Sequence, residues 1–179
     1  MNLPFVFQWL GQVNYTQVVV DNKGVVFLGG NYSDNVANYF AYPVEVGGVY
    51  SIPRIAVWQQ DLDPSIAGSI YVANVDGIFV ISWEGVPHYA ERSENGLNFQ
   101  VALHPGGAIE LRWGDGNPPT NGFAADGAAG IEDDAAGVAV PATRFPFGNE
   151  ANGGVAETFP SNQCRIFIVT AVGYYTEWP

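Results

Sequence analysis

The chain has 179 residues, a formal net charge of −12 and only six basic side chains, five of them Arg. That balance repels phosphate backbones and anionic membrane surfaces, so nucleic-acid binding is excluded from the expectations. Membrane insertion is excluded too, since no stretch approaches the roughly 18 unbroken apolar residues of a membrane helix.

Val, Ile, Phe, Tyr and Trp dominate the large residues, and 22 Gly and 12 Pro interrupt them every few positions. Branched and flat side chains pack well on a pleated surface, and strong helix formers are scarce. The expected fold is therefore all-β: an antiparallel β-sandwich built from hairpins, with long irregular loops in its C-terminal third. One domain over residues 1–179 is large enough to bury a core of its own.

In chain order, residues 1–10 have an apolar flavour, but Pro4 and Gln8 break the run and no positive region precedes it. They do not read as a signal peptide, so the expectation is use without Sec export, or a domain trimmed from a longer protein. The first hairpin joins residues 16–20 to 25–28 through Asp21-Asn22-Lys23-Gly24. The second joins 69–75 to 78–83 through Asp76-Gly77, among the strongest hairpin signals a sequence offers. Its return strand is apolar on both faces except at Ser82, which predicts a central strand covered on both sides. The third joins 98–104 to 108–113 around Pro105-Gly106-Gly107. Phe99, Val101 and Leu103 alternate with Gln100 and His104, and Ile109, Leu111 and Trp113 with Glu110 and Arg112, which predicts one buried and one wet face. Residues 114–130 and 141–162 read as loops, with a short strand at 137–140 between them. Strands return at 165–172 and 174–178. Loops this long tend to serve function or assembly.

Several of these segments carry a resemblance. Leu3-Pro4-Phe5-Val6-Phe7 with Gly11 and Tyr15, then Val18-Val19-Val20 and Gly24-Val25-Val26-Phe27, resemble the opening strands of the nidogen-like (NIDO) domain. Pro53-Arg54-Ile55-Ala56-Val57-Trp58 with Asp61-Leu62-Asp63-Pro64 is similar to that domain's "P-IAP-W-DLDP" segment. Val80 to Pro87, Asn98 to Ile109 and Gly130-Ile131-Glu132 match further motifs in the same order. The resemblance spans about residues 3–140, leaving 141–179 as a long loop plus C-terminal strands. It implies a β-rich binding or structural module of the kind found in matrix and bacterial surface proteins, without catalysis.

Candidate chemistry is sparse. Asp61 and Asp63 flank Leu62, so an extended backbone would point both carboxylates one way, as a Ca²⁺ site could use. The competing reading is an Asx-turn, which is favoured. Asp115, Asp126 and Glu132-Asp133-Asp134 form an acidic loop region without EF-hand spacing. His88 and His104 lie near no nucleophile elbow or zinc-binding helix. Cys164, the only cysteine, reads as a small buried hydrophobe. Trp9, Trp58, Trp83 and Trp113 read as core. No catalytic, metal or cofactor-binding residue is assigned. Tyr174, Tyr175 and Trp178 are assigned as partner-binding, because apolar rings at a chain end need a cover.

The expectation is a non-enzymatic structural or interaction protein working through protein–protein contacts. It is read first as a phage virion component (capsid decoration or cement, or tail-associated), assembled in the host cytoplasm. Its partners would be other protein subunits, either a capsid or tail protein or further copies of itself in a homo-oligomer. The alternative is an extracellular bacterial surface adhesion module of nidogen-like type. A glycan hydrolase ranks third.

Overall fold

The computed structural model describes residues 1–9, 13–30, 53–89, 96–115, 128–133, 138–139, 161–170 and 173–177. All regular structure among them is strand, and no helix there is long and apolar enough to cross a membrane. Among the described residues twelve strands form two six-stranded sheets. The first sheet holds β1 (Asn2–Trp9), β2 (Val13–Val20), β3 (Val25–Leu28), β4 (Arg54–Gln59), β9 (Ala128–Asp133) and β10 (Val138–Ala139), side by side in that order. The second holds β5 (Ser69–Val75), β6 (Ile78–Val86), β7 (Leu97–Leu103), β8 (Ile109–Trp113), β11 (Gln163–Thr170) and β12 (Gly173–Glu177), with neighbours in chain order from the β5 edge to the β12 edge. Every pairing is antiparallel.

The turns follow from their residues. Asp76 and Gly77 both take positive φ, 52° and 83°, as a two-residue hairpin of primed type demands. Val75 then pairs with Ile78, and the ladder runs without a slip to Ser69 opposite Glu84. The first turn depends on Gly24, at φ 79°: a Cβ there would lie 2.2 Å from the carbonyl oxygen of Trp58. Only glycine lets the β2–β3 turn press onto β4, where the Gly24 carbonyl accepts from the amides of both Val57 and Trp58.

One core lies between the sheets. Phe7, Trp9, Val18, Val26, Leu28, Ile55 and Val57 enter from the first sheet; Ile81, Trp83, Phe99, Val101, Leu103, Leu111, Trp113 and Phe167 enter from the second. Trp83 and Phe99, opposite each other on β6 and β7, stack with centroids 5.1 Å apart and planes 20° apart. Stacked pairs of this kind add stabilisation beyond the area they bury. Two indoles then tie sheet to sheet: Trp113 donates to the carbonyl of Val57 at 3.0 Å, and Trp83 to that of Asp21 at 3.2 Å.

Two expectations need correction. The strands covered along their whole length are β3 and β4, neighbours in the first sheet and each buried at every position. β6 lies one strand from an edge, and its outward Ile78 and Val80 are only half-buried. Glu132 and Asp133 belong to strand β9, not to an acidic loop; Asp126 and Asp134 lie outside the described residues.

Candidate interaction surface

Two polar assemblies stand out among the described residues. The first closes one corner of the sandwich, at the Asp61-Leu62-Asp63 motif. Lys23, the chain's one lysine, donates to the Asp61 carboxylate at 2.5 Å and to the Leu62 carbonyl at 2.8 Å. Asp63 turns instead to its own segment, accepting from the backbone amide and hydroxyl of Ser65. That is the Asx-turn reading. The Asp63 amide donates to the Pro87 carbonyl, the Tyr89 amide to the Asp61 carbonyl, and Leu62 forms a bridge with His88. His88 is buried in that joint. The two carboxylates thus serve separate partners rather than one shared site, and the motif works as a joint between the β2–β3 turn, the β4–β5 connection and the end of β6. No group of three or more metal-ligating side chains occurs among the described residues.

The second assembly lies on the outer face of the second sheet. Glu110 and Arg112 are two apart on β8 and share that face. Arg112 grips the Glu110 carboxylate bidentately, Nε to Oε1 at 2.8 Å and Nη2 to Oε2 at 2.7 Å. His104 Nε2 lies 3.4 Å from Glu110 Oε2, and the Cys164 thiol donates to Oε1 at 3.2 Å. The arginine bonds outweigh partial burial and hold the Glu110 carboxyl down at about 2. Burial, then the bond to Glu110, pushes the Cys164 thiol up to about 11. Cys164 is therefore a half-buried hydrogen-bond donor on the sheet's outer face, where a small buried hydrophobe was expected. Its proton stays on at neutral pH and its ionised partner is already occupied, so neither group is poised for nucleophilic or acid–base work. Next to this cluster, Gln100 donates to Ser82, which donates to Glu84, extending a polar band across β6 and β7.

The flanks of this face are the sheet's two edges. On β5 the outward side chains are Tyr71, Ala73 and Val75, and Tyr71 and Val75 are 55% and 52% exposed. On β12, Tyr174 pairs with Val169 and Tyr175 with Ile168 of β11, so two of the three expected partner-binding residues lie on the opposite edge strand of the same sheet. Trp178 lies outside the described residues. Trp9, Trp58, Trp83 and Trp113 are all buried, as expected for core. The exposed β5 edge was not anticipated, because its Ile-Tyr-Val-Ala-Asn-Val run reads equally well as an inner strand. The Cys164–Glu110 contact requires the pairing of β11 with β8, which no local signal announces.

The architecture defines a class: a two-sheet antiparallel sandwich whose Asp61-Leu62-Asp63 motif is a structural joint, with one sheet presenting a polar outer face between two strand edges. A family model described as NIDO related matches residues 1–158, and the chain belongs to that family. The match extends past the 3–140 span over which the motifs were legible. No curated protein and no solved structure matches the chain.

Proposed function

We propose that this NIDO-related chain is a non-enzymatic interaction module, working through protein–protein contacts made by the second sheet and its edges. The observation that carries the reading is the β5 edge, where Tyr71 and Val75 stand in solvent beside backbone that has only β6 as a partner among the described strands. Exposed apolar side chains on an open strand edge are a liability that monomeric proteins suppress. The occupied Glu110 and the protonated Cys164 thiol support the non-catalytic side of the reading.

In its finer form the proposal is a phage virion component, a decoration or tail-associated subunit assembled in the host cytoplasm. A single cysteine, which rules out an internal disulfide, and a single lysine fit that setting. Membership of the NIDO-related family favours a second reading, an extracellular bacterial surface adhesion module. Peptide mass analysis of purified particles and of the cell-envelope fraction separates the two. The virion reading expects the chain in particles at a fixed ratio to the major capsid protein. Recovery in the envelope alone overturns it.

A further inference from the structure

The second sheet ends in β5, and the four edge strands of the sandwich are not alike. β1 carries a break in register between Asn2 and Phe7, and the β12 sequence carries the charged Glu177. A bulge and charge are among the usual devices that stop an edge from pairing. β5 has none of them: seven residues, no charge, no proline, and a ladder to β6 without a slip.

The hairpin fixes which of its backbone groups are free to pair. With Val75 and Ile78 closing a two-residue turn, the odd-numbered residues of β5 exchange hydrogen bonds with β6. The amides and carbonyls of Ile70, Val72 and Asn74 therefore point away from the sheet.

We propose that this edge is a homodimer interface in which β5 of one chain pairs antiparallel with β5 of a second copy, about a two-fold axis through Ala73. The inference deepens the interaction-module reading by naming the partner. Three features select a second copy. The axis through Ala73 places Tyr71 of each chain opposite Val75 of the other, so both exposed apolar residues of the strand are covered at once, as an aromatic and β-branched pair. The closest approach on the axis, about 4.5 Å between Cα atoms at a non-hydrogen-bonded pair, falls on the small Ala73. Val72 then exchanges backbone bonds with Asn74, using the groups left over from β6. Charge completes the argument. A chain of net charge −12 repels its own copies over most of its surface, yet β5 is neutral. The nearest acids across the axis, Asp76 of one copy and Glu84 beside Ser69 of the other, would sit about two strand spacings apart, about 10 Å, still beyond a screening length of about 8 Å.

The test uses the full chain alone, so it stands apart from the particle analysis. Light scattering after size exclusion, over a range of micromolar concentrations, is expected to give twice the chain mass for the native protein. Val72→Pro removes an outward amide without touching a bond to β6, and Tyr71→Lys places a charge on the outer face; each is expected to give the monomer mass with the strand-rich circular dichroism spectrum retained. Ala73→Cys combined with Cys164→Ser is expected to form an intermolecular disulfide under mild oxidation, because only the Ala73 axis brings that position against itself. A native monomer throughout the range overturns the proposal. So does a dimer that survives both edge variants, or one that fails to cross-link at position 73.

Discussion

Trp113 on β8 donates its indole N–H to the carbonyl of Val57 on β4, at 3.0 Å across the core. Both residues are buried, so the bond has no water to replace it. Trp113→Phe keeps most of the apolar volume and leaves that carbonyl without the donor. It is expected to cost about 1–3 kcal/mol, read as a lowered urea midpoint at unchanged slope. Trp113→Ala adds a cavity and is expected to cost about 3–5 kcal/mol. If the Phe variant unfolds at the native midpoint, the indole bond does not hold the sheets together.

Two glycines separate close approach from backbone conformation. Gly24 has φ 79° and no room for a Cβ, while Gly77 has φ 83° and nothing within 4 Å of one. Gly77→Ala is expected to cost only the conformational strain, about 1–2 kcal/mol. Gly24→Ala also drives a methyl into the Trp58 carbonyl, and is expected to cost more than 4 kcal/mol or abolish folding. Equal losses in thermal melts of the two variants would contradict the packed joint described for the β2–β3 turn.

The Glu110 cluster gives the stability a pH dependence of known sign. Its carboxyl is held at about 2 against an ordinary 4.5. Between those values the folded chain binds fewer protons than the unfolded one, so the stabilisation is complete above about 4.5 and is lost as pH falls toward 2. Arg112 is partly exposed and solvent screens the pair, so the contribution is on the order of 1 kcal/mol. Glu110→Gln is expected to flatten the pH profile of the urea midpoint over that window. A profile unchanged by the variant would show that Glu110 is not held by Arg112 in solution.

Cys164 offers an independent reading of the same cluster. With its thiol pushed up from 9.0 to about 11, the thiolate fraction at pH 8 falls about 100-fold. Iodoacetamide is expected to alkylate the native chain at least about 10-fold more slowly than the urea-unfolded chain, since the higher-pKa thiolate is also the stronger nucleophile. Glu110→Gln is expected to speed the native reaction, because it removes a negative neighbour that opposes ionisation. Equal rates in folded and unfolded chains would place the thiol elsewhere.

These details were unevenly legible in the sequence. The hairpins at Asp76-Gly77 and around Gly106 could be read because a turn is local chemistry, decided by two or three residues in succession. The alternation in β7 and β8 announced the wet face that carries Glu110 and Arg112. β1 and β4 were visible only through the family resemblance, since their apolar runs have no turn beside them that selects a strand. The roles of Asp61 and Lys23 escaped, because an ion pair between residues 38 positions apart depends on how the β2–β3 turn docks on β4. The β5 edge escaped for the same reason. Whether an apolar strand lies inside a sheet or at its rim is a property of strand order, not of the strand.

The proposal that the second sheet's edges make this chain's contacts is tested most directly by light scattering after size exclusion on the native chain, on Tyr71→Lys at the β5 edge and on a Tyr174→Ala, Tyr175→Ala variant at the β12 edge, each of unchanged thermal stability. The result expected is an assembly larger than one chain that is lost in at least one of the two edge variants. A native monomer, or an assembly that both variants keep, would contradict it.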